Sequence, residues 1–164
     1  RAVERLAKDL YTSDAHALHE LLQNADDCRY AAHQEPSMRF LLGKAVSGTF
    51  FFAAVSNELG FREADVRALC DINASTKSSN ENAAIGHKGI GWKSLFLLSD
   101  TPFVLSGDYT FKFDIAGPLG LLGYVTPTWL SQDELDNLPQ EITSSWRNGK
   151  TVFFVPLRDA SARL

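Results

Sequence analysis

The hydrophobic and polar positions at the start of the chain follow a helical pattern. In the segment SDAHALHELLQNADDCRYAAH, apolar residues recur at intervals of three and four, which predicts a helix over residues 14–33. Residues 1–10 are predicted to form another helix. The apolar face of the longer helix is expected to comprise Leu18, Leu21, Leu22 and Ala25. This face needs a second layer of structure against which it can pack.

Apolar runs farther along the chain predict strands. MRFLLG at 38–43 and GTFFFAAVSN at 48–57 are rich in aromatic and aliphatic residues and predict two strands joined by a turn. FVLSG and YTFKFDI predict a hairpin across Gly107 and Asp108. KTVFFVPL at 150–157 predicts a last strand, whereas GPLGLLGYVTPTWL is expected to be irregular.

Helices are predicted between these strands, at 62–72 and 91–99. A further helix is expected to begin in SQDELDNLPQEI, with Ser131 as N-cap and Glu134 completing a capping box. Strands and helices without a regular βαβ order predict an α+β fold, a two-layer α/β sandwich. Its mixed, mostly antiparallel sheet would be covered by helices on one face. The 164 residues are expected to form a single domain.

Charge and cysteine content narrow the classes of function. The formal net charge of −4 argues against nucleic acid as the main partner. No run approaches the ~18 apolar residues of a membrane span, so no membrane partner is expected. Cys28 and Cys70 form no CxxC pair and have no histidine at metal spacing, which indicates reduced thiols in an intracellular protein, cytoplasmic or nuclear. The start at Arg1 indicates a piece of a larger multidomain protein.

The segment GHKGIGWKS at 86–94 contains three glycines and two lysines. Its glycine order differs from that of the Walker P-loop and from that of the dinucleotide fingerprint. Glycines let backbone N–H groups approach an anion closely, and the helix that follows would direct its positive end toward that anion. Taken alone, the motif fits a phosphate-binding loop and a simple turn equally well.

Polar residues of the first long helix form a second candidate site. Glu20, Asn24 and Asp27 have the spacing i, i+4, i+7, which predicts one polar stripe opposite the leucines. An amide oxygen suits Mg²⁺, and a nearby carboxylate can deprotonate an attacking water. A solvated polar face is the alternative interpretation of the same stripe.

Three motifs resemble those of the GHKL superfamily of ATPases (gyrase, heat-shock chaperone, histidine kinase, MutL), whose nucleotide-binding unit is the Bergerat fold. ELLQNADD resembles the N-box, IGHKGIGWKSLFLLSD resembles the second glycine box with its helix, and NGKTVFFVPL resembles the last motif. Within the superfamily, SNELGFREADVRALCDINASTKSS and GYVTPTWL are most similar to sacsin and NO VEIN-like proteins. The motifs occur in the superfamily's order, from Glu20 to Leu157.

The resemblance assigns roles to matching residues. It implies that Glu20 is the general base, that Asn24 coordinates Mg²⁺, and that Asp27 is the N-box acid near the nucleotide. Thr151 matches the threonine near adenine, and residues of about 73–90 match a flexible lid. The implied phosphate loop comprises Gly86, Gly89 and Gly91, with Lys88 as a further phosphate contact.

The first glycine box departs from the superfamily's D-x-G-x-G pattern. When Gly60 of SNELGF is aligned with the second glycine, Ser56 replaces the aspartate that binds the adenine amino group. Glu58 replaces the first glycine. Ser56 or Asn57 is expected to accept that hydrogen bond instead, more weakly than a carboxylate would.

The resemblance implies an ATP-binding, Mg²⁺-dependent ATPase module that acts as a chaperone-like or conformational-switch domain. Implied partners are ATP and ADP, other domains of the same chain or client proteins, and a second copy in a nucleotide-dependent dimer. Turnover is expected to be slow, or dependent on further domains, since many relatives receive a cationic residue from a following domain. The alternative is a degenerate nucleotide-binding module for protein interaction or regulation, without significant hydrolysis.

Overall fold

One antiparallel sheet of six strands forms the centre of the computed structural model, which describes residues 17–70 and 91–158. The strands are β1 (Met38–Lys44), β2 (Phe50–Ser56), β3 (Phe103–Ser106), β4 (Tyr109–Lys112), β5 (Thr128–Trp129) and β6 (Thr151–Pro156). Their order in the sheet is β1-β2-β6-β3-β4-β5. Every pairing among these strands is antiparallel, so the expectation of a mixed sheet is wrong for the described residues. The α+β class is confirmed.

Four α-helices and two 3-10 helices accompany the sheet within the described residues. The α-helices are α1 (residues 17–26), α2 (Glu63–Cys70), α3 (Gln132–Asp136) and α4 (Gln140–Arg147). The 3-10 helices cover Gly91–Leu97 and Gly120–Tyr124. None of the helices in this described part has the length and apolar character required to cross a bilayer.

Helix α1 ends earlier than its hydrophobic pattern predicts, and its last carbonyls are used by side chains that follow it. The Cys28 thiol donates to the carbonyl of Asn24 at 3.0 Å, and the Tyr30 hydroxyl donates to the carbonyl of Ala25 at 2.7 Å. Carbonyls in the last helical turn lack intrahelical partners, so these bonds stabilise the helix end. The prediction of helix through residue 33 is therefore wrong, while residues 1–16 lie outside the described part.

The sheet is covered by helices on both faces. Successive strand residues point to opposite sides, so Phe52 and Val155 pack with residues of α1, α2 and the first 3-10 helix, whereas Phe51 and Val152 pack on the other face with Ile142 of α4. The prediction of helices on one face is wrong. Runs such as FFFAAV are apolar on both sides, and that pattern requires a cover on each side.

The capping box predicted at the start of α3 is confirmed. The Ser131 hydroxyl accepts from the N–H of Glu134 at 3.2 Å, and Glu134 accepts from the N–H of Ser131 at 2.9 Å. The ammonium of Lys112 in β4 lies 2.9 Å from Glu134. The hydrogen bond between Lys112 and Glu134 lowers the pKa of Glu134 from its ordinary value. The same bond raises the pKa of Lys112. The cap thus also fastens α3 to the sheet.

Several other predictions are confirmed and some elements were missed. The strands at β1, β2 and β6, the hairpin of β3 and β4, and the helix at α2 lie where the pattern predicts them. Gly107 turns the hairpin with a φ of 56°, a conformation that favours glycine. The segment expected to be irregular contains the second 3-10 helix and β5, and α4 was not predicted.

Strand β6 lies inside the sheet between β2 and β3, and shortening its buried side chains should destabilise the domain. Val155→Ala and Val152→Ala each remove two methyl groups from fully buried positions on opposite faces. Each change is expected to lower the free energy of unfolding by about 2 kcal/mol in urea titrations. Val46→Ala, at a fully exposed turn position, is the control and should change it by less than about 0.5 kcal/mol. Equal, small effects of all three changes would contradict this packing.

Candidate functional site

A cavity lies between α1, the end of β2 and the first 3-10 helix. It encloses about 380 Å³ of space between atoms, including its mouth open to solvent. Most of the wall is apolar, and the polar side chains in it belong to Asn24, Ser56 and Glu58. A mostly apolar wall with a few convergent polar groups is typical of a small-molecule site. The cavity is the candidate functional site.

Helix α1 presents a mixed stripe to the cavity. Leu21 and Asn24 share the side that forms part of the wall, because residues three apart lie on one helix face, and Cys28 adds to the wall from the bend after the helix. Leu22 is turned outward and is 50% exposed. The predicted opposition between a leucine face and a polar face is therefore wrong: Asn24 lies beside the buried Leu21, on the inner side of the helix.

The two acids of the predicted polar stripe lie elsewhere. Glu20 is half-buried one turn before Asn24, but it is not part of the cavity wall. Asp27 lies in the turn after α1 and is exposed. Of the three residues predicted to act together, the described structure brings only Asn24 to the cavity.

The end of β2 and the turn that follows it contribute two buried polar residues to the wall. Ser56 is 3% exposed, and its hydroxyl accepts a hydrogen bond from the N–H of Glu58 at 3.2 Å. Glu58 itself is only 4% exposed. Ionisable residues are rarely buried to this extent. Sequence reasoning identified Glu58 only as a departure from a glycine pattern, and that departure was the available signal.

Asn57 has a structural role next to the cavity. Its side-chain amide accepts from the N–H of Ser37 and donates to the carbonyl of Glu35, both at 2.8 Å. Both ends of the amide are therefore used to hold the segment that enters β1. The described structure does not bring this residue, a predicted adenine contact, into the cavity wall.

Gly60 and Thr151 belong to a buried network behind the cavity. Gly60 has a φ of 90°, which favours glycine, and a Cβ there would lie 3.4 Å from the Ser106 hydroxyl. That hydroxyl accepts from the N–H of Phe61 at 2.9 Å and lies 2.6 Å from the hydroxyl of Thr151. Thr151 is fully buried and outside the wall, so among these residues only Phe61 reaches the cavity.

Trp92, which comes directly after Gly91 of the glycine motif, forms one side of the cavity. It is 1% exposed, and no hydrogen-bond acceptor among the described residues reaches its buried indole N–H. Gly91 begins the 3-10 helix that carries this residue. The other predicted phosphate-loop residues, Gly86, Lys88 and Gly89, and the predicted lid at 73–90 lie outside the described residues.

The wall offers few groups that could hold a metal ion without ligands from another molecule. Within residues 17–70 and 91–158, no group of three or more histidine, cysteine or acidic side chains could hold a metal ion. One amide such as Asn24 fits Mg²⁺, which keeps several waters and takes phosphate oxygens as further ligands. The rest of the wall is apolar apart from the buried Ser56 and Glu58 and the buried indole N–H of Trp92.

Cys70 and Lys93 lie near one another beside this site. Burial raises the pKa of the Cys70 thiol, and the charge of Lys93 opposes that rise. Both cysteines are free thiols, as predicted.

With the fold and this cavity described, the chain can be compared with known proteins. The model of the Sacsin domain family matches residues 4–118. Protein NO VEIN of Arabidopsis thaliana is 41% identical over 160 residues, 98% of this chain. Human sacsin is 32% identical over 105 residues, 60% of this chain.

The chain belongs to the Sacsin domain family, because the family model covers most of it. This confirms the similarity to sacsin and NO VEIN-like proteins. The aligned regions represent 5% of protein NO VEIN and 2% of sacsin, so the chain spans a small part of each relative's length.

The contacts of Asn57 predict a loss of stability on its substitution. Asn57→Ala removes both hydrogen bonds to the segment before β1 and is expected to lower the free energy of unfolding by about 1 kcal/mol in urea titrations. Gln34→Ala, at an exposed position of the same segment, is the control and should have little effect. Unchanged stability in Asn57→Ala would show that the amide does not hold this segment.

Proposed function

We propose that this domain binds ATP together with Mg²⁺ in the cavity and acts as an ATPase module. The observation that supports this proposal is that three separate sequence motifs supply neighbouring parts of one wall. Asn24 comes from the motif that resembles the N-box. Ser56 comes from the segment that replaces the first glycine box, and Trp92 comes from the motif that resembles the second glycine box. Unrelated motifs would have no reason to converge on one cavity.

In this proposal each residue has a distinct task. The Asn24 side-chain oxygen would be the protein's ligand to Mg²⁺, and bound Mg²⁺ would supply neutralisation of phosphate charge. The apolar wall would hold the base and exclude water from it. Glu20, one helical turn before Asn24, would take the proton from the attacking water, as a general base. The glycine loop would bind the phosphates through backbone N–H groups.

At the level of the whole protein, we infer a chaperone-like or conformational-switch role. Nucleotide occupancy would change how this domain contacts other domains of the same chain, client proteins or a second copy. The supporting relationship is membership of the Sacsin domain family. An intracellular location, cytoplasmic or nuclear, belongs to the same proposal.

A second function is favoured by two observations. Glu20 lies outside the cavity wall, and Ser56 offers no carboxylate where the superfamily has one. A domain of this kind would bind nucleotide weakly and regulate protein contacts without significant hydrolysis. Binding and hydrolysis must therefore be measured separately.

Calorimetric titration with ATP and Mg²⁺ tests nucleotide binding. Asn24→Ala is expected to weaken ATP binding about tenfold when Mg²⁺ is present, and much less when it is chelated, because the amide would act through the metal. Gln23→Ala, at the exposed neighbouring position, is the matched control and should bind like the parent. Absence of both heat and thermal shift at millimolar ATP in the parent protein would rule out the cavity as a nucleotide site.

Phosphate release under single-turnover conditions tests the proposed general base. Glu20→Ala is expected to retain ATP binding and to lose hydrolysis by a factor of about 100 or more, because a positioned base typically supplies that much. Glu63→Ala removes an exposed glutamate that pairs with Arg67 and serves as the control. Hydrolysis by Glu20→Ala at the parental rate would refute the assignment. Binding without any hydrolysis in the parent would favour the regulatory alternative.

A further inference from the structure

Strand β1 is the outermost strand on one side of the sheet, and within the described residues only β2 pairs with it. The N–H of Ala45 donates to the carbonyl of Thr49 at 2.9 Å, and the N–H of Asn57 donates to the carbonyl of Ser37 at 3.2 Å. Backbone groups alternate in direction along a strand, so the odd-numbered residues of β1 bond to β2. The backbone N–H and carbonyl groups that point away from the sheet therefore belong to Met38, Phe40, Leu42 and Lys44.

The side chains near the middle of this open edge are apolar and exposed. Leu42 is 80% exposed and Phe40 is 36% exposed. Both lie on the sheet face that carries α1, because the ring of Phe40 packs against Phe52 with 5.6 Å between ring centroids, and residues two apart in a strand share a face. Such an edge would lose exposed apolar surface if another strand paired with it.

Strand β1 has few of the features that normally keep an open sheet edge from pairing with another chain. It contains no proline, and its seven residues pair with β2 without a bulge. The side chain of Arg39 is on the opposite sheet face, where its guanidinium lies 3.7 Å from Glu141 of α4. Lys44 is the last residue of the strand, and its ammonium lies 5.1 Å from the ring centroid of Phe50. The middle of the edge therefore carries no charge.

The sequence of β1 complements itself in one antiparallel register. With a twofold axis beside Leu41, the whole strand pairs with the same strand of a second copy. Phe40 then lies opposite Leu42 of the second copy, Arg39 opposite Gly43, and Lys44 opposite Met38. Apolar residues meet apolar residues and no like charges face each other, which is the favourable case for cross-strand pairs.

Other antiparallel registers of the same two strands are less favourable. Outward-pointing backbone groups meet one another only when the register changes by an even number of residues. A shift of two residues in either direction leaves part of each strand without a partner. One of these shifts also places Lys44 opposite Phe40.

We propose that β1 joins this domain to a second copy of the chain through an antiparallel β1–β1 pair, so that the two sheets become continuous. The same patch is used on both copies, as a twofold axis requires. A single strand pair is a small interface, so the dimer is weak. Phe40 and Leu42 are outside the cavity wall, so this inference goes beyond nucleotide binding, and the dimer forms with or without ATP.

Sedimentation velocity of this chain without nucleotide measures the association. The parent protein is expected to change from monomer to dimer between about 5 and 500 µM, as suits a small interface. Leu42→Lys should weaken the dimer at least about tenfold, because it places a cation at the middle of the edge, opposite Phe40 of the second copy. Leu121→Lys, at a leucine that is 81% exposed and outside β1, is the matched control and should associate like the parent.

The double variant Phe40→Glu/Leu42→Lys tests the register. Each glutamate would lie opposite a lysine of the second copy, so the double variant should dimerise several-fold more tightly than either single variant. Amide hydrogen exchange tests the backbone pairing. The N–H groups of Phe40 and Leu42 should exchange more slowly at high protein concentration than at low, whereas that of Leu41, already bonded to β2, should not change.

A parent protein that stays monomeric through this concentration range would overturn the proposal and leave the edge to a strand of another protein. Association of Leu42→Lys equal to that of the parent would also overturn it, as would a dimer that forms only with ATP. If circular dichroism shows Leu42→Lys unfolded, hydrogen exchange in the parent decides, and exchange at Phe40 and Leu42 that is independent of concentration overturns the pairing. ATP binding by a monomeric parent would leave the proposed function intact.

Discussion

The position of β6 between β2 and β3 is the constraint on which the remaining structure depends. Antiparallel pairing aligns Thr151 with Ser56 on one side, while Leu105 of β3 pairs with Val152 on the other. The 2.6 Å contact between the hydroxyls of Ser106 and Thr151 joins these strands where they are fully buried. Because both faces of β6 are covered, a shift of one residue would move apolar side chains into the wrong cluster.

The candidate site follows from this register. Ser106 also accepts from the N–H of Phe61, so the network around β6 holds the segment that leaves β2. That segment presents Ser56 and Glu58 to the space under α1. The cavity is consequently built on the sheet, and its polar side chains have positions that the hydrogen bonds of the core determine. A site on such a support loses little freedom on binding, which favours specific recognition.

The helical pattern of the first segment shows where prediction from sequence succeeds and fails. Periodicity identified the helix and the burial of Leu21, but it could not tell which side of the helix faces the sheet. The pattern grouped Leu22 with Leu21, although the residues are separated by about 100° around the axis, and the sheet covers only one of them. The early end of α1 is accompanied by bonds from Cys28 and Tyr30, which no periodicity reveals.

The sequence by itself determined the elements with strong periods, the α+β class and the resemblance to sacsin and NO VEIN-like proteins, because these depend on residue types and their local spacing. Only the tertiary structure decided that helices cover both sheet faces, that Asn57 holds a neighbouring segment, and that Glu58 enters the cavity wall. Each of these facts depends on contacts between residues distant in the chain. Such contacts are set by strand register and packing, which local patterns do not encode.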